Sequence, residues 1–372
     1  MEILIIPFLA AVLLGRTIIP HIVLITYKKR LFDPIDARKQ HQSAIPRLGG
    51  VAFVPIQCCL LAITVVTIYK VPFLSKLYNL NIKTEEVFPM FIMLMCGMVI
   101  LYLVGIADDL VTVRNKYKFI VQLLVASFFP LSGLWINNLY GLGFIVELSP
   151  WIGVPFTIFL VVLIINAINL IDGLDGLCSG VVAVACLVLG ILFTYYHAWI
   201  HAILAFITLG ILLPFFYYNV FGVTKRRRRI FMGDTGSMTL GYTVGFLAIS
   251  FAMLNQNIKP FSDGAIVVAA SVLIVPVFDV ARVMFVRYWT GYPIFKPDRN
   301  HLHHKLLRSG LSHKGTMIVI VLLSLFFCLM NIILVKYISN NILLVLNFVV
   351  WLLLTAIFNL TVKHKSNTHK IA

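Results

Sequence analysis

Runs of about twenty apolar residues, separated by short polar stretches, repeat from one end of the chain to the other. The pattern is neither the strict alternation of a half-buried strand nor the one-sided stripe of a surface helix, so each run reads as a helix that is apolar all round. Windows of about nineteen residues place spans near 2–26, 49–69, 87–107, 118–137, 152–171, 177–196, 198–219, 235–254, 264–286, 316–337 and 341–362, each long enough to cross about 30 Å of hydrocarbon. The prediction is an all-α, polytopic integral membrane bundle of ten or eleven transmembrane helices, a single domain over 1–372. A strand barrel is excluded, because its strands would alternate where these runs are continuous. The first run exceeds the apolar region of a signal peptide and ends in Lys28, Lys29 and Arg30 without a small-residue cleavage site, so it is read as a retained helix.

Composition sharpens this reading. The chain is 60% hydrophobic and 12% charged, with a mean hydropathy of +0.98, which excludes a soluble globular protein. All six cysteines lie in apolar stretches without metal or disulfide spacing. The net charge of +16 is unevenly placed. Twenty-three of the thirty Lys and Arg residues fall in loops on one side if the N-terminus is outside and the C-terminus is cytoplasmic, against five on the other side. The excess charge therefore signals orientation and affinity for anionic membrane lipids. No nucleic acid is expected as a partner, since no basic patch is interleaved with stacking aromatics.

The fourteen acidic residues carry the chemistry. Asp108 and Asp109 close the third span in GIADDL, Asp172 and Asp175 follow the fifth in NAINLIDGLDGL, and Asp234 precedes the eighth in FMGDTGS, all at cytoplasmic helix ends, while Asp279 falls inside the ninth span. Carboxylates at membrane depth are costly unless paired, hydrated or bound to a cation. Adjacent Asp108 and Asp109 repel one another unless something cationic lies close. Asn166, Asn169, Asp172 and Asp175 recur every three residues and would gather on one side of a helical end, facing a polar ligand such as a nucleoside. They also read as capping turns, because Asp-Gly steps favour turns. Asp234 is either an N-cap or a Mg²⁺ ligand beside a phosphate bound at a helix start; hard oxygen donors favour Mg²⁺ or Mn²⁺ over zinc. His301, His303 and His304 in HLHH, flanked by Asp298, Arg299, Lys305 and Arg308, read as a cationic cluster for phosphate, ahead of a zinc site lacking cysteine.

DARKQHQSAIPRLGG, GIADDL, NAINLIDGLDGL, FMGDTGS and HLHH stand in an order and spacing that resembles the polyprenyl-phosphate N-acetylhexosamine-1-phosphate transferases, a likeness covering about residues 33–310 and leaving two C-terminal helices near 316–362 outside it. The resemblance implies a bacterial cytoplasmic-membrane enzyme with its site on the cytoplasmic side, transferring a sugar phosphate from a UDP-N-acetylhexosamine to undecaprenyl phosphate with release of UMP. It implies catalytic roles for Asp108, Asp109, His301, His303 and His304. Substrate contacts are implied for Asn166, Asn169, Asp172, Asp175, Phe231, Lys118 and Arg47, with Phe231 stacked on uracil, and Mg²⁺ or Mn²⁺ ligation for Asp234 with Asp109 nearby. HLHH followed by Lys305, where muramoyl-pentapeptide transferases carry Glu after three histidines, points to N-acetylglucosamine, with N-acetylgalactosamine, N-acetylfucosamine and N-acetylquinovosamine open, and to the start of a cell-surface polysaccharide. The muramoyl-pentapeptide reaction of peptidoglycan synthesis is the alternative, and the bundle leaves room for a homodimer. An ion-coupled transporter is the rival class, but the acids lie at helix ends and no broken helices recur in paired halves.

Overall fold

The computed structural model describes residues 2–29, 31, 46–71, 84–223, 228–292 and 300–371, with side chains described as far as residue 362. Most of DARKQHQSAIPRLGG, Lys225 to Arg227, and Asp298 and Arg299 lie outside these residues. Among the described residues the chain forms thirteen α-helices and no strand. They are α1 (Glu2–Lys28), α2 (Phe53–Lys70), α3 (Thr84–Val111), α4 (Asn115–Leu131), α5 (Pro150–Ile171), α6 (Leu177–Tyr195), α7 (Trp199–Val220), α8 (Gly233–Ala252), α9 (Ala265–Ser271), α10 (Ile274–Trp289), α11 (Leu302–Arg308), α12 (His313–Leu334) and α13 (Asn340–Ile371). An isolated antiparallel bridge joins Asn138 to Glu147 between α4 and α5.

Every expected span corresponds to helix, and three differ in form. The fourth ends at Leu131, where Gly133 takes a φ of +86° and starts a turn. The ninth is broken into α9 and α10, bent by 76°. Pro276, in the first turn of α10, lacks the N–H that would close onto Val272, so a continuous helix would leave that carbonyl unpaired. The last runs on to Ile371. Among the described residues eight helices are long and apolar enough to cross a membrane, or nine with the bent pair. α4 and α8 fall outside that set because one is short, at 17 residues, and the other is rich in Gly, Ser and Thr.

α8 is the axis of the bundle. It packs on α2, α3, α5, α6 and α9, and every residue from Thr235 to Ala252 is buried. Two of its threonine hydroxyls are satisfied along its own backbone, Thr239 donating to the Thr235 carbonyl at 2.7 Å and Thr243 to that of Thr239 at 2.9 Å. Tyr242 donates to the Val125 carbonyl of α4 at 3.0 Å. Small residues let the backbones meet, as expected where apolar lipid offers no drive to associate. A Cβ on Gly105 of α3 would lie 2.4 Å from Thr235 Cα, and one on Gly50, in the turn before α2, 2.2 Å from Gly236 Cα. Large apolar side chains on the outer helices, such as Leu13, Phe159 and Leu353, are exposed and form the lipid-facing surface.

Candidate active site

The C-terminal ends of α3 and α5 and the N-terminal ends of α4 and α8 meet at one end of the bundle. The Lys118 ammonium of α4 stands between two carboxylates, 3.0 Å from Asp108 Oδ2 and 2.8 Å from Asp234 Oδ2. Asp108 Oδ1 accepts the Val113 N–H at 2.7 Å, which fixes the chain as it leaves α3. Asn169 Nδ2 donates to Asp234 Oδ1 at 3.2 Å and to Ser237 Oγ at 2.8 Å. One cation and two anions held across three helices form a partly buried ionic chain, open enough to accept a ligand.

Asp109, expected near the metal and phosphates, has both carboxylate oxygens engaged at the start of α8. Its Oδ1 accepts the Asp234 N–H at 2.8 Å, and its Oδ2 accepts the Thr235 N–H at 3.0 Å and the Thr235 hydroxyl at 2.6 Å. A carboxylate is here spent on free amides at a helix start, where the dipole also favours negative charge. Asp109 is the cap of α8, leaving Asp108 and Asp234 as the carboxylates facing the cation. Gly233 enters that turn with φ +77°, and a Cβ there would strike the Arg47 carbonyl and Asp109. The PRLGG segment is paired to the same loop by backbone bonds, Phe231 N–H to Pro46 O at 2.8 Å, Gly49 N–H to Phe231 O at 3.0 Å and Gly50 N–H to Met232 O at 2.8 Å. The chain around Arg47 and Phe231, both half-buried, is thereby held against the loop that leads into Asp234.

The three-residue spacing of the Asn and Asp residues does not put them on one helical face, because α5 ends at Ile171. Asn166 lies inside the bundle, donating to Gln122 Oε1 at 2.7 Å and to its own helix. Asp172 follows the helix end. Burial, and then the nearby Asp234, Asp109 and Asp175 charges, push its carboxyl well above the usual range, with Arg47 opposing. Asp175 pairs with Arg229 and accepts from Asn219 Nδ2 at 3.5 Å. Asn219 also accepts the Gly176 N–H at 2.6 Å and donates to the Ile230 carbonyl at 2.9 Å, tying the Asp175 turn to the strand of chain that bears Phe231.

The histidines stand on the far side of that turn. His301 precedes α11, with Nδ1 2.9 Å from Asp279 Oδ2. His303 is 3% exposed, its Nε2 is buried without a partner, and a Cβ on Gly173 would lie 3.1 Å from that nitrogen. Burial first, with the charges of His304 and His301 behind it, pushes His303 down to about 3, so it is a neutral imidazole and not part of a cationic cluster. His304 stacks obliquely on it, ring centroids 4.2 Å apart. Among the described residues no three His, Cys or carboxylate groups converge as a metal cage.

Gln122 and Asn219 were not expected at these positions. Each is a lone amide within or at the end of an apolar run, a signal that buried polar groups in membranes mark contacts.

The profile of glycosyl transferase family 4 matches residues 90–252, from α3 through α8. A Bacillus subtilis relative described as a probable undecaprenyl-phosphate N-acetylglucosaminyl 1-phosphate transferase is 30% identical over 334 residues, covering 89% of this chain and 85% of its own. Undecaprenyl-phosphate alpha-N-acetylglucosaminyl 1-phosphate transferases of Salmonella typhi and of Escherichia coli strain K12 are each 27% identical, covering 80% and 79% of this chain and 75% and 74% of theirs. With the motifs of α3, α5 and α8 assembled at one end of the same helical bundle, the chain belongs to glycosyl transferase family 4, the membrane-embedded polyprenyl-phosphate N-acetylhexosamine-1-phosphate transferases.

Proposed function

We propose that the protein transfers N-acetylglucosamine 1-phosphate from UDP-N-acetylglucosamine to undecaprenyl phosphate at the cytoplasmic face of a bacterial inner membrane, with its N-terminus outside, starting a surface polysaccharide. The observation that carries this reading is the Asp108–Lys118–Asp234 chain at the membrane-depth junction of α3, α4 and α8. Reaction of one phosphate with another brings anion to anion, and catalysis then rests on positioned opposite charge. The relatives' names supply the acceptor lipid and the sugar.

An oxygen of the lipid phosphate bonds to the phosphorus bearing the sugar, and the bridging P–O bond to the uridylate breaks, so UMP leaves with the electron pair. Lys118 stands where it can meet phosphate oxygens as they arrive, and Asp108 beside it can take any proton the acceptor still holds. Asp172, whose carboxyl is pushed up by burial and the neighbouring carboxylates, can when protonated donate a hydrogen bond to an anionic oxygen where an ionised carboxylate would repel it. Asp175, through Arg229 and Asn219, holds Phe231 for the uracil.

The Oδ2 atoms of Asp108 and Asp234 converge on one point now held by an ammonium, a hard-donor pair suited to Mg²⁺ or Mn²⁺, which takes one or two carboxylates and fills its other positions with water and phosphate. When bound there, a divalent ion supplies neutralisation of the phosphate charge. An apolar cavity of about 170 Å³ lined by α5, α8, α9, α10 and α13 lies beside the broken span and suits part of an isoprenoid tail.

The test is UMP release by purified protein with undecaprenyl phosphate and Mg²⁺, run in parallel with UDP-N-acetylglucosamine, UDP-N-acetylgalactosamine and UDP-muramoyl-pentapeptide. Turnover with the first alone is expected. Turnover with the third alone would move the protein to peptidoglycan synthesis, and silence with all three from folded protein would overturn the reading.

A further inference from the structure

Asp279 is the one carboxylate inside the broken span, next to Phe278 of the apolar cavity wall, and it is 2% exposed. A charge in such a place persists only when its partners are supplied in full. They are. Asp279 Oδ2 faces His301 Nδ1 at 2.9 Å, Oδ1 accepts the Leu302 N–H at 3.0 Å, and Oδ1 accepts from Arg282 Nη2 at 2.7 Å. Arg282 Nη2 also donates to the Asn300 carbonyl at 2.6 Å. Residues 300 to 302 are therefore gripped at a carbonyl, an amide and a ring by two side chains one turn apart on α10.

The grip has a direction. The His301 and His303 rings lie within 6° of parallel with centroids 6.0 Å apart, and His303 presents its partnerless Nε2 to Gly173, in the turn that carries Asp172 and Asp175. We propose that Asp279, with Arg282, is a positioning residue that seats the start of α11 so that His303 stands against the Asp172–Asp175 turn, coupling the broken span beside the apolar cavity to the catalytic loop. Its role in turnover rests on the sugar-phosphate transferase reading; the grip itself does not. Partners that orient a functional histidine without touching substrate typically matter by about tenfold to a hundredfold.

Two measurements on full-length protein in detergent separate these levels. The first is amide hydrogen exchange followed by mass spectrometry. Asp279→Asn is expected to speed exchange across 300–309 by about tenfold while α8 stays protected, and unchanged exchange would overturn the grip whatever the enzyme does. The second is a kinetic cycle. Asp279→Asn should lower kcat about tenfold to a hundredfold with the KM for the UDP-sugar nearly unchanged, Asp279→Glu should recover part of the loss, and adding Asp279→Asn to His303→Ala should do little more than His303→Ala alone. Losses that multiply would show that Asp279 acts elsewhere than through His303. Should Asp279→Asn not fold, Arg282→Gln carries the same two measurements. If wild-type protein releases no UMP, the exchange result stands alone and the transferase reading fails separately.

Discussion

Lys118 decides how the carboxylates at the site coexist. Replacing it by Met leaves Asp108 and Asp234 facing each other without the intervening charge, so turnover is expected to fall at least about tenfold, the low end for loss of a positioned charge. The same change removes the competitor for a divalent ion, so Mn²⁺ bound by the resting protein, followed by paramagnetic resonance, should bind more tightly; weaker binding would place the cation elsewhere. His303 makes a pH prediction. Its pKa of about 3 in the folded protein compares with about 6.5 for a free imidazole. Between those values the unfolded chain binds a proton that the folded chain refuses, so stability falls as pH drops below about 6.5, by up to about 1.4 kcal/mol per unit. His303→Asn should flatten that fall, read as thermal midpoints at pH 7 and pH 5.

Elements meet here through glycine more than through interlocking bulk. Gly105→Ala would drive a methyl into the Thr235 backbone at 2.4 Å, against ordinary contact at 3.6 Å for Gly245→Ala on Ile164. The first should lower the thermal midpoint sharply, overpacking of this kind amounting to about 1–3 kcal/mol or more, while the second should be neutral or slightly stabilising; equal effects would mean that α3 and α8 can separate without penalty. The helices themselves were legible in the sequence because lipid demands continuous apolar runs. The break at Pro276 was not, since a proline in the first turn of a helix and a proline at a break look alike until the neighbours are known. Asp108, Asp234, Lys118 and Asn169 meet as their positions at helix ends suggest. Asn166 turns into the bundle, and Asp109 is taken by the α8 amides, because residues three or one apart diverge once a helix ends or a carboxylate finds a nearer donor.

For the whole molecule, the distribution of Lys and Arg sets a testable direction across the membrane. Phe144, 94% exposed in the loop between α4 and α5, should as a cysteine react with an impermeant maleimide on intact cells, and Tyr288 at the end of α10 only after permeabilisation; the opposite pattern would invert the topology. The ionic site then lies on the side where nucleotide sugars are made.

α8 also bears on how the protein is assembled. Sheathed by protein on every side, it has no lipid-facing surface to keep apolar, and its glycines, hydroxyls and Asp234 make it a poor candidate to leave the insertion machinery sideways into bilayer. α3 and α5, the walls it packs against, are both synthesised before it. The order of the chain thus lets earlier helices act as the solvent for the one that carries Asp234, and that segment enters the membrane as a guest of its neighbours.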